Sequence, residues 1–386
     1  CIRDSSSYQT MESLGTANYP LNGTLTSGFS GQTYKGPLNT SLRWETTDQF
    51  NVGLDFGFWK NRLNFSANYY YKKTKDLLQN VSIPLSTGYS TMWTNFGHVT
   101  NKGFEFTANV VAIDNKDWGL NFDGNISFNQ NRIGGLNADQ YATQLWYGAN
   151  EVFLQRNGLP IGTIYGYVED GFYDNIAEVR ADPIYSKVSK EEAQRMIGEI
   201  KYVDRNGDNQ ITTEDRAVIG DTNPDFIYGL NANFRWKKLS LGLFFQGSQG
   251  NDIFNGNLTM IGMNSIGNVT REAYENRWTP ENAANAKWPR ITTAMTRDMK
   301  LSDRYVEDGS YFRLKTINLS YNFGSVCKGI TDLSVFGTIT NVFTLTNYSW
   351  FDPDVNAFGS DASRRGVDIF SYPNSRTYTI GFKLTL

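Results

Sequence analysis

The chain has 386 residues and a formal net charge of −3 at pH 7, so its length permits two or three globular domains. Its mean hydropathy is −0.46, and no apolar run reaches the roughly 18 residues of a membrane-spanning helix, which excludes a helical membrane protein. The charges are scattered, and nothing in their distribution indicates a nucleic-acid partner. Two cysteines, Cys1 and Cys327, are too few for a disulfide scaffold.

Residues 225–246 predict one complete β-hairpin with its turn at Lys237 and Lys238. Side chains alternate between the two faces of a strand, and here one face is apolar and the other polar. Each arm has on the order of the 9–11 residues with which a tilted strand crosses a bilayer, and only the lipid-facing half must be apolar. The apolar positions are Phe226, Tyr228, Leu230, Ala232, Phe234, Trp236, Leu239, Leu241, Leu243 and Phe245.

The same alternation recurs along the chain, in segments at 47–58, 63–72, 104–110, 118–129, 311–323, 332–344 and 377–386. A less regular pair of strands within 151–172 is a doubtful addition. Arg313 and Lys315 are out of phase with the rest of their segment, which predicts a bulge or an exit from the membrane. Ser189, followed by Glu192, predicts the start of a short helix that Gly198 ends.

The connections between these segments alternate in length. Short ones follow 47–58, 104–110, 225–236 and 311–323, and also the first strand of the doubtful pair. Outer-membrane barrels have short periplasmic turns and long extracellular loops. The pattern therefore predicts an all-β fold, an antiparallel transmembrane β-barrel with about 9–11 strands in this chain. Its lipid-facing residues would include Phe226, Tyr228, Leu230, Leu241, Leu243, Tyr378, Ile380 and Phe382.

Nine short runs resemble the SusC/RagA family of TonB-dependent outer-membrane transporters. They occur in the family's order and span nearly the whole chain: WETTDQFNVGLD (44–55), TNKGFEF (100–106), IYGY (164–167), DRNGD (204–208), IGDTNPDFIYG (219–229), YFRLK (311–315), NVF (341–343), FDPD (351–354) and YPNSRT (372–377). Each run alone is weakly specific, but the set is highly specific.

The resemblance implies a plugged barrel of about 22 strands in the outer membrane of a Gram-negative, Bacteroidetes-like cell. It implies active import of oligosaccharide or peptide nutrients, a SusD-type lipoprotein over the extracellular mouth, and energy from the TonB complex. A passive porin and a structural or adhesive surface β-protein are the alternatives. An enzyme is not expected, because His98 is the only histidine and no catalytic motif is present.

Within the resemblance, residues 46–386 correspond to the C-terminal half of the barrel, with an extracellular insert at 173–224 and a long extracellular loop at 247–304. The plug, the TonB box and the first half of the strands have no counterpart, so we expect a processed chain or a fragment that cannot insert alone. Residues 1–45, rich in small polar residues, predict an extracellular loop region. Cys1 before a serine run resembles a lipid-modified N-terminus, but a chain that simply begins there is the favoured interpretation.

Aromatic residues in the predicted extracellular segments are candidates for substrate binding, by stacking on a sugar ring or packing against a peptide. They are Trp93, Trp146, Tyr147, Trp278, Trp288 and Trp350, with Phe351 beside the last. Packing within the loops, contact with the lipoprotein or a place in the interfacial belt is the favoured alternative for any single one, since aromatic side chains bury well in packed loops.

The run 204–215 resembles the calcium-binding loop of an EF-hand. Oxygen-bearing residues occupy positions 1, 3, 5, 7, 9 and 12 of that loop, and they are Asp204, Asn206, Asp208, Gln210, Thr212 and Asp215. Asn209 replaces the usual glycine, and Asp215 is shorter than the usual glutamate. A solvated acidic turn is the alternative. We expect a structural Ca²⁺ that pins this loop.

Overall fold

A computed structural model gives the fold and describes residues 14–21, 24–34, 37, 39–89, 91–142, 151–261, 268–292, 300–359 and 361–385. The strands of this part of the chain are β1 (Leu14–Leu21), β2 (Thr24–Tyr34), β3 (Thr46–Phe58), β4 (Leu63–Lys75), β5 (Leu78–Ser82), β6 (Thr91–Asn95), β7 (His98–Asp114), β8 (Trp118–Gly134), β9 (Gln140–Ala142), β10 (Phe153–Gln155), β11 (Thr163–Gly166), β12 (Glu169–Phe172), β13 (Ile200–Tyr202), β14 (Ala217–Asp221), β15 (Phe226–Trp236), β16 (Leu239–Gln249), β17 (Asp252–Asn255), β18 (Val306–Asp308), β19 (Tyr311–Gly324), β20 (Asp332–Thr346), β21 (Val367–Asp368) and β22 (Thr377–Thr385).

The helices are short. The α-helices are α1 (Ile176–Ala181), α2 (Lys190–Met196), α3 (Leu258–Ile261) and α4 (Arg271–Glu275), and the 3-10 turns are Leu85–Thr87, Thr213–Asp215, Ala283–Asn285, Asp303–Tyr305 and Ala362–Arg364. Among the described residues, no helix has the length and apolarity needed to cross a membrane.

Nine long strands form one antiparallel sheet in the order β22-β20-β19-β16-β15-β8-β7-β4-β3. One row of facing residues runs through all nine strands and is entirely apolar: Phe58, Leu63, Val110, Phe122, Ala232, Leu243, Ile317, Ile339 and Tyr378. The adjacent row, on the other face, is mostly polar: Gly57, Asn64, Asn109, Asp123, Asn231, Phe244, Thr316, Thr340 and Thr377. The predicted lipid-facing residues therefore share one face of one sheet.

The connections alternate in length as predicted. Those at 59–62, 115–117, 237–238 and 325–331 are short and lie at one end of the sheet, while the long connections lie at the other, here called the outer end. Asn61 and Lys237 have φ of 64° and 52°, the left-handed backbone that tight turns between twisted strands favour. The strands β3 and β22 form the two edges of this sheet.

The structure corrects three assignments. The doubtful pair within 151–172 does not join the nine-stranded sheet, because β10 and β11 have only 3 and 4 residues and lie in a separate sheet with β9 and β14. The region 1–45, predicted as a loop, contains the hairpin β1–β2, and the loop around Trp93 contains the hairpin β5–β6. Polar residues dominate both hairpins, so the apolar alternation that predicted the long strands is missing from them.

Two local predictions are confirmed. The helix α2 follows Ser189, whose side chain accepts a hydrogen bond of 3.1 Å from the Glu192 amide, and Gly198 beyond its end has a left-handed φ of 79°. The bulge predicted near Arg313 is a register shift between Leu314 and Thr316 where β19 pairs with β20.

Three of the motif runs meet at the outer end of β19. Arg313 is 1% exposed, and its guanidinium donates to Asp352 at 2.5 Å and to the Thr344 hydroxyl at 2.9 Å. The second carboxylate oxygen of Asp352 accepts from the Asn374 amide group at 2.8 Å. Arg313, Asp352 and Asn374 belong to the runs at 311–315, 351–354 and 372–377. The motifs therefore form an ionic cluster around the buried Arg313, here called the ionic knot, which ties the last long connection to the sheet.

A second contact fixes the start of the last strand. Arg376 donates to the backbone carbonyls of Asn341 and Val342, and the Asn341 side chain donates to the Ser375 carbonyl at 2.7 Å. Asn341 has a φ of 53°, a left-handed conformation that asparagine tolerates better than most residues. The backbone carbonyls and the asparagine side chain of the run at 341–343 therefore bind the segment that leads into β22.

The apolar face makes a direct prediction for Leu243, which lies midway along β16. The change Leu243→Arg should lower the free energy of unfolding by about 2–4 kcal/mol, because it buries a charge in hydrocarbon. Denaturant titration of the protein in lipid vesicles measures this loss. The matched change Asn233→Arg, on the polar face, should cost much less, and equal losses for the two variants would contradict the assignment of faces.

The ionic knot makes a second prediction. Asp352→Asn removes the nearer and more buried anion of Arg313 and should lower the free energy of unfolding by roughly 3–5 kcal/mol. Asp354 is the control, because its carboxylate lies 3.8 Å from the Arg313 guanidinium and its side chain is 55% exposed. Asp354→Asn should cost no more than about 1 kcal/mol. Denaturant unfolding compares the two, and an inverted order would show that the knot is not a stabilising contact.

Candidate functional site

Three of the long connections at the outer end pack against one another around a common core. The described parts of 135–225, 250–310 and 347–376 are here called the outer region. Its buried core residues come from all three connections: Val152, Phe153, Ile164, Tyr167, Ile200, Tyr202, Phe254, Ala273, Trp288, Tyr305 and Val367. The strand β17 pairs antiparallel with β18 and parallel with β21, through Phe254 and Val367. The outer region is therefore one folded unit rather than a set of separate loops.

Buried polar pairs also hold the outer region. Arg304 donates to Glu169 at 2.5 Å, with the two side chains 13% and 9% exposed, and the Ser302 hydroxyl donates to the same carboxylate. Burial, and a hydrogen bond of 2.6 Å to Asp368, raise the pKa of the Tyr348 hydroxyl. Removing one partner of a buried ion pair lowers the free energy of unfolding, because the other charge stays buried without a partner. These contacts therefore fix the relative positions of connections that lie far apart in sequence.

Trp278 and Trp288, predicted as substrate-binding candidates, are packed inside the outer region. They are 5% and 7% exposed. Their indole N–H groups donate to Asp174 at 2.7 Å and to Glu272 at 2.5 Å, and the Trp278 amide donates to the Trp288 carbonyl at 2.7 Å. Buried tryptophans with a partner for the indole N–H are typical of packed cores. The structure favours the packing interpretation for both, because neither ring face is open to a substrate.

The other predicted aromatic residues are dispersed. Trp93 lies on β6 and is 36% exposed. Trp350 is half-buried against Phe351, with ring centroids 5.1 Å apart, and Phe351 is 66% exposed. Trp146 and Tyr147 lie outside the described residues. Within the described residues, no hydrogen bond or ring contact joins Trp93 or Trp350 to the two buried tryptophans. These four tryptophans therefore do not form a common binding site in the part of the chain that the structure describes.

The calcium-like loop is closed by its own carboxylates. Asp204 accepts from the backbone amides of Gly207 and Asn209 at 2.7 and 2.8 Å, and Asp208 accepts from that of Gln210 at 2.8 Å. Asn209 has a left-handed φ of 61°, as its place in the loop requires. The first half of the loop is thus a tight turn in which side-chain oxygens point inwards.

Asp215 closes the second half of the loop from a fully buried position. Its carboxylate accepts from the amides of Arg205 and Thr212 at 2.9 and 2.7 Å. Burial by itself would raise the pKa of Asp215. The hydrogen bonds from backbone amides outweigh burial and hold the pKa of Asp215 below its usual value. Ile211 packs against the core of the outer region. The loop is therefore anchored to the fold by Asp215 and Ile211.

The loop offers oxygen donors, the ligand type that Ca²⁺ prefers. Among the described residues, no three histidine, cysteine, aspartate or glutamate side chains are grouped closely enough to hold a metal ion. In this conformation Asp204, Asp208 and Asp215 direct their oxygens to amide groups. A carboxylate has about four lone-pair sites, so such contacts leave it with further acceptor capacity.

Comparisons with known proteins give the family of the chain. The family described as "TonB dependent receptor-like, beta-barrel" matches residues 10–342. TonB-dependent receptor P26 of Formosa agariphila is 33% identical over 98% of this chain and 38% of its own length. TonB-dependent receptor SusC of Bacteroides thetaiotaomicron is 28% identical over 90% of this chain and 32% of its own length. The chain spans about a third of the length of these relatives, which are named as receptors and not as enzymes.

The fold is also that of a solved transporter. The structure of the RagAB peptide transporter matches with a TM-score of 0.76 and 22% identity, over 98% of this chain and 38% of the matched one. The RagAB peptide importer in its "closed-closed" state matches with a TM-score of 0.74. The continuous apolar face, the alternating connections and these matches lead to one conclusion: the chain belongs to the TonB-dependent receptor-like β-barrels of the outer membrane and is of the SusC/RagA kind.

Proposed function

We propose that the protein to which this chain belongs imports oligosaccharide or peptide nutrients across the outer membrane, with energy supplied through TonB. The observation that carries the proposal is the outer region, in which three long connections share one buried core at the outer end of the sheet. A folded wall of this kind suits capture of a large substrate. Membership of the TonB-dependent receptors supports the energy source, and the match to RagAB, described as a peptide transporter, supports a large substrate.

A SusD-type surface lipoprotein is part of the proposal. Large apolar side chains stay exposed in the connections at the outer end, where such a partner would dock: Tyr274, Ile291, Phe351, Phe370 and Tyr372. Tyr372 is 92% exposed although it belongs to the run at 372–377, which contributes Asn374 to the ionic knot. Exposed aromatic residues are enriched at protein–protein contacts, because they bury a large area at a low entropic cost. These side chains support a partner that covers the outer region during capture.

Dependence on energy separates active import from a passive porin and from an adhesive protein. In cells that carry the protein, uptake of a fluorescent oligomer too large for a porin should stop when a protonophore collapses the proton gradient. It should also stop when the gene for the lipoprotein partner is deleted. Uptake of the corresponding monomer serves as the control. Uptake of the oligomer that continues at an unchanged rate with the protonophore would exclude active import.

The loop 204–215 is proposed to hold one structural Ca²⁺. Asp204, Asp208 and Asp215 would supply its carboxylate oxygens. Support comes from the six oxygen-bearing positions, the left-handed backbone at Asn209 and the anchoring of the loop in the outer region. At the cell exterior, a site with an affinity of roughly 10⁻⁴–10⁻³ M is filled. The ion would tie the loop to the strands β13 and β14 that flank it.

If the loop binds Ca²⁺, the protein should release or absorb heat on titration with Ca²⁺, and a variant without the ligands should not. Calorimetric titration of Ca²⁺ into the chelator-treated protein should give a signal that Asp204→Ala with Asp208→Ala abolishes. Limited proteolysis should then cut the loop of this variant faster. The matched control, Glu191→Ala with Asp354→Ala, removes two exposed carboxylates of the outer region and should change neither readout. Absence of binding heat, with equal proteolysis in chelator and in Ca²⁺, would identify the loop as a hydrogen-bonded turn only.

A further inference from the structure

The apolar face of the sheet changes character near the outer end of β4, β7 and β8. Three successive cross-strand rows on this face show the change: Tyr69, Phe104 and Phe128, then Tyr71, Lys102 and Gln130, then Lys73, Thr100 and Arg132. Successive rows are about 6.6 Å apart, since each is two residues further along the strands. The face passes from aromatic to cationic within two rows.

The opposite face changes in the reverse sense at the same height. Asn129, on that face, accepts a hydrogen bond of 2.7 Å from the Tyr70 hydroxyl, whereas Val99 and Ile133, further out, are 7% and 4% exposed and form a small apolar core with Leu136. Aromatic girdles of outer-membrane barrels lie at the membrane interface. The reversal therefore marks the level at which the lipid-facing side leaves hydrocarbon and meets the lipid head groups.

The cations at this level form no direct ion pairs in the part of the chain that the structure describes. Among the described residues, Lys73, Lys102 and Arg132 have no carboxylate within ion-pair distance, whereas the neighbouring Lys75 is paired with Asp48 at 2.5 Å. Lys102 and Arg132 are exposed. These three rows lie on the same face of the sheet as the apolar row. The face thus presents positive charge directly above an aromatic band.

A cleft of about 420 Å³ lies where these rows end. Its floor is aromatic and includes Phe104 and Phe128, its rim includes Lys102 and Arg132, and its far wall is the polar segment 221–225. The cleft exists because β8 continues to Gly134, beyond its last pairing with β15, between Ser127 and Ile227. The cleft therefore combines an apolar floor, a cationic rim and a wall with carboxylate and amide acceptors.

We propose that this cleft binds a phosphorylated glycolipid of the outer leaflet. The phosphate would lie against Lys102 and Arg132, with Lys73 as a further cation beside them. The acyl chains would run along the aromatic floor, and sugar hydroxyls would donate to the Asp225 carboxylate. The two carboxylates of the wall suit hydroxyl donors and disfavour a ligand that is anionic throughout. The site is separate from the import path proposed above, because it faces lipid, and it rests on the outer end facing the cell exterior.

Native mass spectrometry of the complete receptor in detergent tests the site with defined probes. The probes are lipid A with its phosphate, the same lipid A after phosphatase treatment, and inorganic phosphate. Each basic side chain near an anionic lipid surface contributes a factor of roughly five in affinity, so Lys102→Gln with Arg132→Gln should weaken lipid A binding on the order of 20- to 30-fold. Lys102→Arg should retain binding, because it keeps the charge.

The control variant, Lys72→Gln with Lys116→Gln, removes the same charge from the opposite face and from a turn at the other end. It should bind lipid A as the unaltered protein does. Equal binding by both double variants, or equal binding of phosphorylated and dephosphorylated lipid A, would reduce the interaction to a nonspecific lipid shell and overturn the proposal. Binding of inorganic phosphate as tight as that of lipid A would also overturn it, because the acyl and sugar contacts would then contribute nothing.

Discussion

Lipid offers no partner to a backbone amide or carbonyl, so every such group in the hydrocarbon must be paired inside the protein. The nine-stranded ladder meets this constraint and also fixes which face meets the lipid. A slip of one residue between two strands would move a whole apolar set to the polar face. The apolar row runs without interruption from Phe58 to Tyr378, and the register shifts just beyond it, between Phe244 and Phe245 of β16 and between Leu314 and Thr316 of β19. The apolar face therefore depends on register more than on any single side chain.

Among the residues that the structure describes, charged side chains are buried only beyond the level of this face. Arg313 and Asp352, and likewise Arg304 and Glu169, lie at the outer end or in the outer region, where each arginine lies 2.5 Å from its carboxylate partner. In the same zone the lipid-facing side of β4, β7 and β8 becomes cationic. The sheet and the outer region are thus stabilised differently. Backbone pairing and alternating side chains stabilise the sheet, whereas a folded core with buried ion pairs stabilises the outer region. The motifs of the SusC/RagA kind at 311–315, 351–354 and 372–377 lie at the boundary between them.

The nine long strands could be predicted from sequence because each satisfies two environments in alternation, and that leaves a period of two in the residue types. The bulge near Arg313 was also visible, as a break in that period. The hairpins β1–β2 and β5–β6 were missed because small and polar residues interrupt the apolar alternation in their sequences. The core of the outer region could not be predicted, since its contacts join distant residues such as Phe254 and Val367, and only the folded chain shows that Trp278 and Trp288 are packed within it.

The two candidate sites also differ in whether the sequence alone reveals them. The loop 204–215 could be recognised because its residues are contiguous, and its left-handed Asn209 follows from a local rule. The cationic cleft needed the cross-strand register, because Lys73, Lys102 and Arg132 become neighbours only when three strands are aligned. Sequence patterns therefore identify features that lie within one segment, and the structure adds those that arise between segments.

The central claim is that one face of the sheet meets lipid and the other does not. Spin labels placed singly at consecutive positions 228–233 of β15, in the complete protein within a bilayer, measure it most directly through collision rates with oxygen, which concentrates in hydrocarbon. We expect the collision rate with oxygen to be highest at Tyr228, Leu230 and Ala232 and lowest at Gly229, Asn231 and Asn233, with a period of two. Rates without this alternation, or maxima at the asparagines, would contradict it.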